Sequence, residues 1–284
     1  MKGAIVADIM VPAPIVAELP GTRNEVINLM VRNGLTGLPV VRSSDGKLMG
    51  VVSRRDVFRN FEEDQLSLIM KKGCMTTTPD TSVVDVARVF CEKRIHRLPV
   101  VENGTLVGIV TPTDVLKIVK DMKTDMVAVD VIRTVCVTAY EKDPMSYVVS
   151  AMRISDVAAM PILDEKGKLC GIITDRDMFS DQFKDDESLK ALGIKDVADL
   201  KGARNVLPLF FATTDKYKAD NSLVCDYMVR NPASVFKKTN LAEVAKLMLS
   251  NDYGQIPVHD TKDQLIGMIY DVDVLCALLG SNND

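Results

Sequence analysis

Two histidines among 284 residues leave little material for the usual acid–base and metal chemistry of enzymes. The chain has no Gly-x-Ser-x-Gly elbow, no G-x-x-x-x-G-K-[ST] loop and no G-x-G-x-x-G, so three common catalytic or nucleotide frameworks lack their signatures. No group of His, Cys and Asp has ligand spacing, and no metal site, catalytic residue or catalytic cofactor is nominated. The six cysteines (Cys74, Cys91, Cys136, Cys170, Cys225 and Cys276) are scattered without a C-x-x-C pair, against a zinc module or a disulfide-rich scaffold. They are expected to be reduced, mostly buried thiols of a cytoplasmic protein. No run of ~18 apolar residues occurs, which argues against a membrane-spanning helix, and the first eight residues lack the long apolar stretch of a secretory signal. A net charge of −4 and a pI near 5.4 argue against a broad nucleic-acid face, although a local basic pocket is compatible with both.

What is present is ordinary in bulk and repetitive in detail. With 47% hydrophobic and 26% charged residues, the chain is globular in composition and long enough for one large or two ordinary domains. Aligned on Pro39, Pro99, Pro161 and Pro257, it contains one unit four times. Upstream of each proline lies a helical apolar stripe: Val26-Ile27-Met30, Val86-Ala87-Phe90, Val148-Val149-Met152 and Val244-Ala245-Met248. Thr22, Ser82 with Asp85, Asp143-Pro144 and Asn240 with Glu243 mark the helix starts. Downstream come two apolar runs joined by a turn (Asp45-Gly46, Asn103-Gly104, Lys166-Gly167 and the glycine-free Lys262-Asp263), which predict a hairpin. The second run opens on Gly50, Gly108, Gly171 or Gly267, and six residues later stands Asp56, Asp114, Asp177 or Asp273, leading into a second helix.

This strand–helix–strand–strand–helix unit of about 60 residues closely resembles the cystathionine-β-synthase (CBS) repeat. The pattern is diffuse in one copy and specific in four, and it covers nearly the whole chain. The resemblance implies an α+β fold of four tandem β-α-β-β-α repeats, paired into two Bateman modules that stack as a pseudo-symmetric disk. Such disks are similar to the γ regulatory subunits of AMP-activated protein kinase and to standalone archaeal relatives. The repeats are placed at 1–60, 61–122, 123–182 and 220–284. The insert between, 183–219, is expected to hold a short helix near Leu189 to Leu200 and an extended piece near Val206 to Phe211, as a linker or a docking element.

Ser53-x-x-Asp56, Thr111-x-x-Asp114 and Thr174-x-x-Asp177 enter the second helix of their repeats, and helix capping alone accounts for any one of them. The same turn offers free amides and a carboxylate able to hold two vicinal ribose hydroxyls. In the family, by resemblance, these aspartates bind ribose and Ser53, Thr111 and Thr174 lie near ribose or phosphate. Asp273 is preceded by Tyr270 where the hydroxyl belongs, which puts the fourth site in doubt. His96 and Arg97 resemble the phosphate-contacting stretch of the kinase γ subunits and are expected to face the Asp56 cleft; the matching positions Thr36-Gly37, Ala158-Ala159 and Gly254-Gln255 are not basic. Arg54, Arg55 and Arg176 are further phosphate candidates, or plain surface charges. Val16, Thr77, Val137 and Val235 would line an adenine slot, unless they only pack strands. The resulting expectation is a non-enzymatic sensor of AMP, ADP or ATP that acts on a protein partner in trans. S-adenosylmethionine or methylthioadenosine is the alternative ligand class, and a scaffold with degenerate clefts is the third reading. Disks of this family often dimerise, so a homodimer stays open.

Overall fold

The computed structural model describes residues 3–60, 63–132, 135–155, 157–174 and 222–280. The insert, Arg176 and Asp177 lie outside these residues. The chain begins with α1 (Val6–Ile9) and β1 (Val11–Pro12), and the first repeat follows as β2 (Ala17–Leu19), α2 (Arg23–Asn33), β3 (Gly37–Arg42), β4 (Leu48–Ser53) and α3 (Arg54–Arg59). Then come α4 (Leu66–Ile69), β5 (Lys71–Lys72), α5 (Val83–Lys93), β6 (Leu98–Glu102), β7 (Thr105–Val110) and α6 (Pro112–Val119). The third repeat holds α7 (Ala128–Val131), β8 (Ala139–Tyr140), α8 (Met145–Ile154), β9 (Ala159–Leu163) and β10 (Leu169–Thr174). The last contains β11 (Val229–Arg230), β12 (Val235–Phe236), α9 (Leu241–Asn251), β13 (Gln255–His259), β14 (Leu265–Tyr270), α10 (Asp271–Val274) and α11 (Ala277–Gly280).

Local chemistry explains the repeated elements. Thr22 and Glu25 cap α2 reciprocally, the Thr22 amide donating to Glu25 at 2.7 Å, and the Ser82 hydroxyl accepts from the Asp85 amide at 3.1 Å. Asn240 caps α9 through the Ala242 amide rather than through Glu243. Every residue of the four predicted apolar stripes is buried. Each repeat's first strand runs parallel to its proline strand, with Ala17 opposite Val40, Ala139 opposite Ile162 and Val235 opposite Val258, while Thr77 makes a single bridge to Val100. The hairpins pair antiparallel, as Gly37 opposite Ser53 illustrates. The glycine-free fourth turn works because Asp263 itself adopts a positive φ of 56°, a conformation that Asp tolerates better than most residues.

The segment that leads into each repeat packs on that repeat's neighbour instead. β1 pairs with β7, β5 with β4, and β11 with β10, so the first and second repeats exchange their leading segments and the third takes that of the fourth. Ala128 reciprocates by donating its amide to the Thr239 carbonyl of the fourth repeat. These crossings explain the glycines that open the second hairpin strands: a Cβ at Gly50 would overlap the Lys71 carbonyl oxygen, and one at Gly171 would overlap the Met228 sulfur. The 1+2 and 3+4 pairs are therefore interlocked modules.

Two large apolar cores hold the modules together, each drawn from both of them. One joins α2 and its sheet in the first repeat to α8 and its sheet in the third; the other joins α5 and α6 of the second repeat to α9, α10 and α11 of the fourth. A smaller cluster of Ala159, Ile172 and Met268 lies between the sheets of the third and fourth repeats. Within the first module, Lys47 bridges to Thr105 across the two sheets. The expectation of six reduced cysteines is corrected here: Cys91 and Cys276 form a disulfide between the second and fourth repeats, because the interlocked helices bring positions 185 residues apart to a Cα separation of 6.2 Å. Among the described residues, Cys74, Cys136, Cys170 and Cys225 remain free.

Candidate functional site

The strand-to-helix turns hold their aspartates in a common way. The Ser53 amide donates to Asp56 Oδ2 at 2.9 Å, joined by the Ser53 hydroxyl. Thr111 repeats this with its amide at 3.0 Å and its hydroxyl at 2.7 Å from Asp114 Oδ2, and the Tyr270 amide donates to Asp273 Oδ2 at 3.2 Å. All three carboxylates are enclosed, at 4%, 4% and 0% exposure. Oδ2 is taken up by the turn while Oδ1 meets a cation, so capping and a second contact coexist in a single carboxylate.

The Oδ1 oxygens meet different cations. Asp56 Oδ1 lies 3.2 Å from Lys71 Nζ and Asp114 Oδ1 lies 2.9 Å from Lys117 Nζ, both on lysines that are more than half exposed. An exposed ammonium on a flexible stem is weakly held and readily exchanged for a ligand hydroxyl. Asp273 is bound differently. Arg94 Nη1 donates to Oδ1 at 2.6 Å and Nη2 reaches Oδ2 at 3.4 Å, a two-pronged grip from the second repeat on the fourth.

Arg97 reaches from the second repeat onto the first. Its guanidinium lies over Gly37, where an added Cβ would stand 2.5 Å from Cζ, and it donates to the Thr36 hydroxyl. Gly37 is the strand partner of Ser53, and the Thr36 carbonyl accepts from the Arg54 amide at 3.0 Å, so Arg97 stands at the Ser53–Asp56 turn. Burial chiefly, together with the charge of Arg54, lowers the Arg97 pKa to about 10 against the opposing pull of Asp56. The guanidinium stays protonated at neutral pH in a setting that favours an added anion.

His96 does not share that direction, which corrects the expectation that both residues face Asp56. The chain bends at His96 before β6 begins, and the ring Nδ1 lies 3.6 Å from Asp271 Oδ1. His96, Arg94, Asp271 and Asp273 thus meet where the second and fourth repeats join. Tyr270 belongs to the same cluster: the Arg94 guanidinium carbon lies 5.5 Å from its ring centroid, and burial raises its phenol pKa. The charges of Arg94 and of Arg55 oppose that rise.

Of the remaining candidates, Arg54 is held at the Asp56 turn by its amide, and Thr174 ends β10 opposite Ala159. Val235 packs in an apolar core, and Thr77, at its single bridge to Val100, is buried. Val16 and Val137 are half-buried. Arg94, Lys71, Lys117 and Asp271 escaped sequence reasoning. Arg94 did carry one signal, since it fills the left-handed helix-ending position, φ 51°, that Gly34 fills in the first repeat, at a cost of about 1 kcal/mol. Among the described residues no group of three His, Cys, Asp or Glu could hold a metal ion, and no helix is long and apolar enough to cross a membrane.

A family model described as the CBS domain matches residues 6–63, 66–121, 127–182 and 224–280. The protein MJ1225 of Methanocaldococcus jannaschii is 28% identical over 173 residues, 55% of this chain and 61% of that protein. MJ0188 of the same organism is 32% identical over 115 residues, 39% of this chain and 43% of that one. The aligned region thus spans less than two thirds of these curated relatives. The crystal structure of MJ1225, proposed there as an archaeal homolog of γ-AMPK, superposes with a TM-score of 0.72 at 20% identity, covering 96% of this chain and 99% of the other. A conserved protein from Pyrococcus horikoshii superposes at 0.69 with 22% identity, covering 97% and 100%. At these identities the likeness establishes the four-repeat fold.

Proposed function

We propose that this chain, which belongs to the CBS-domain family, is a non-catalytic regulatory protein that binds adenine nucleotides in the clefts between its repeats and signals to a separate protein. The observation that carries the reading is the pairing of unlike charges across the first module. Asp56 presents one carboxylate oxygen at the same turn over which Arg97 reaches from the second repeat. A ribose needs the first group and a phosphate needs the second, a few ångströms apart on one ligand. Asp114 offers an equivalent carboxylate, but the facing position is Gly37 rather than an arginine, so the Asp56 cleft is the better anion site.

Calorimetric titration of ligand-free protein with AMP, ADP, ATP and S-adenosylmethionine, repeated with Arg97→Ala, tests this. Nucleotide affinity should fall about 10- to 100-fold in the variant, the value of one charge-assisted contact. Preference for S-adenosylmethionine with indifference to Arg97 would replace the nucleotide by a methyl metabolite. Absence of heat with every ligand would leave a scaffold.

A further inference from the structure

Asp273 is the most enclosed of the three described carboxylates, and its partner comes from the other module. Arg94 grips both of its oxygens, and the Tyr270 ring stands beside the guanidinium where the other repeats carry a short hydroxyl. That ring also packs against the cluster of Ala159, Ile172 and Met268 between the sheets of the third and fourth repeats. A nucleoside entering here would need the carboxylate oxygens that Arg94 holds and the space that the phenol fills. Cys91 lies three residues before Arg94 and Cys276 three residues after Asp273, and the two are bonded. The disulfide therefore clamps α5 to the α10–α11 corner within one helical turn of the ion pair.

We propose that Arg94 and Tyr270 are a built-in occupant of the fourth cleft, held by the Cys91–Cys276 disulfide, and that two-electron reduction of this bond by a dithiol opens the cleft to a nucleotide. The proposal rests on the nucleotide reading above. In the exchange a dithiol's thiolate attacks one sulfur and the S–S bond breaks. The released thiolate takes a proton, and the dithiol's second sulfur closes on the first to expel the other cysteine as a thiol. Both cysteines are 3% exposed, so attack requires local opening of the four-residue α11. With the clamp released, Arg94, on a side chain 38% exposed, turns from Asp273 to the incoming phosphate while the ribose hydroxyls take its place.

The test compares the full chain air-oxidised, after dithiothreitol, and as Cys276→Ser, each titrated with AMP by calorimetry. Thiols are counted in denaturant, and amide exchange is followed over residues 271–276. Reduction should raise the count from the four free cysteines to all six and speed exchange about tenfold or more. AMP stoichiometry should rise by one site per chain in the reduced protein and in Cys276→Ser. Unchanged stoichiometry with six titrating thiols would overturn the gate and leave the nucleotide reading standing. Six thiols in the air-oxidised protein would overturn it by removing the clamp. Silence toward AMP in every state would overturn the nucleotide reading and the gate together.

Discussion

Arg97 and Gly37 act as a pair of residues, one supplying charge and the other the absence of a side chain that lets it arrive. Gly37→Ala would push the Arg97 guanidinium off the Asp56 turn without touching the carboxylate. The expected result is a loss of AMP affinity of about tenfold with little change for adenosine, which has no phosphate, read from paired titrations. The Arg94–Asp273 pair calls for a different measurement. Asp273 has no exposed surface, so Arg94→Ala strands a carboxylate and should cost about 2 kcal/mol in urea unfolding. The double variant Arg94→Ala with Asp273→Asn should recover part of that loss, and strict additivity would show that the two side chains do not interact. Neither arginine announces itself by residue type. Arg97 was nominated because its stretch resembles the phosphate-contacting segment of the kinase γ subunits, whereas the role of Arg94 was hidden because its partner lies 179 residues away.

At the level of elements, the exchanged leading segments set the architecture. Gly50 has no side chain because β5 crosses directly over it, and Gly50→Ala should destabilise by about 1–3 kcal/mol through overpacking, measured by denaturant midpoint. Normal stability in that variant would mean that the crossing strand is not held there. The hairpin turns make a pH prediction. Asp164 accepts from the Lys168 and Lys166 amides, and Asp260 from those of Gln264 and Lys262, and these bonds hold both carboxyls below the ordinary value of 3.8. A carboxylate with a depressed folded pKa contributes stability above its unfolded pKa and loses it as pH falls through the folded one. The melting temperature should therefore drop on acidification below about pH 4, with a shallower slope in the Asp164→Asn, Asp260→Asn double variant. These turns were legible in sequence, because a short polar stretch between two apolar runs carries local turn chemistry, with Gly167 in one and Asp263 in its place in the other. The strand crossings were not, because the short leading segments pair with a neighbouring repeat and have no periodicity of their own.

For the whole molecule, the decisive feature is that neither module owns its core. Helices of the first repeat pack on the third and those of the second on the fourth, so residues 1–122 alone would expose the apolar faces of α2 and α5. Produced separately, 1–122 and 123–284 should each self-associate, and co-expressed they should form a one-to-one complex visible by light scattering; stable monomeric halves would contradict the shared cores. The sequence by itself determined the repeat: its number, its elements, the buried stripes and the turn that presents each described aspartate. Those features rest on spacings of a few residues, where backbone geometry and side-chain chemistry act directly. Only the tertiary structure decided that His96 turns toward Asp271 while Arg97 turns toward the first repeat, that Arg94 fills the fourth carboxylate, and that Cys91 meets Cys276. Each of these joins different repeats, and such contacts depend on how the repeats dock on one another, a geometry that no local spacing encodes.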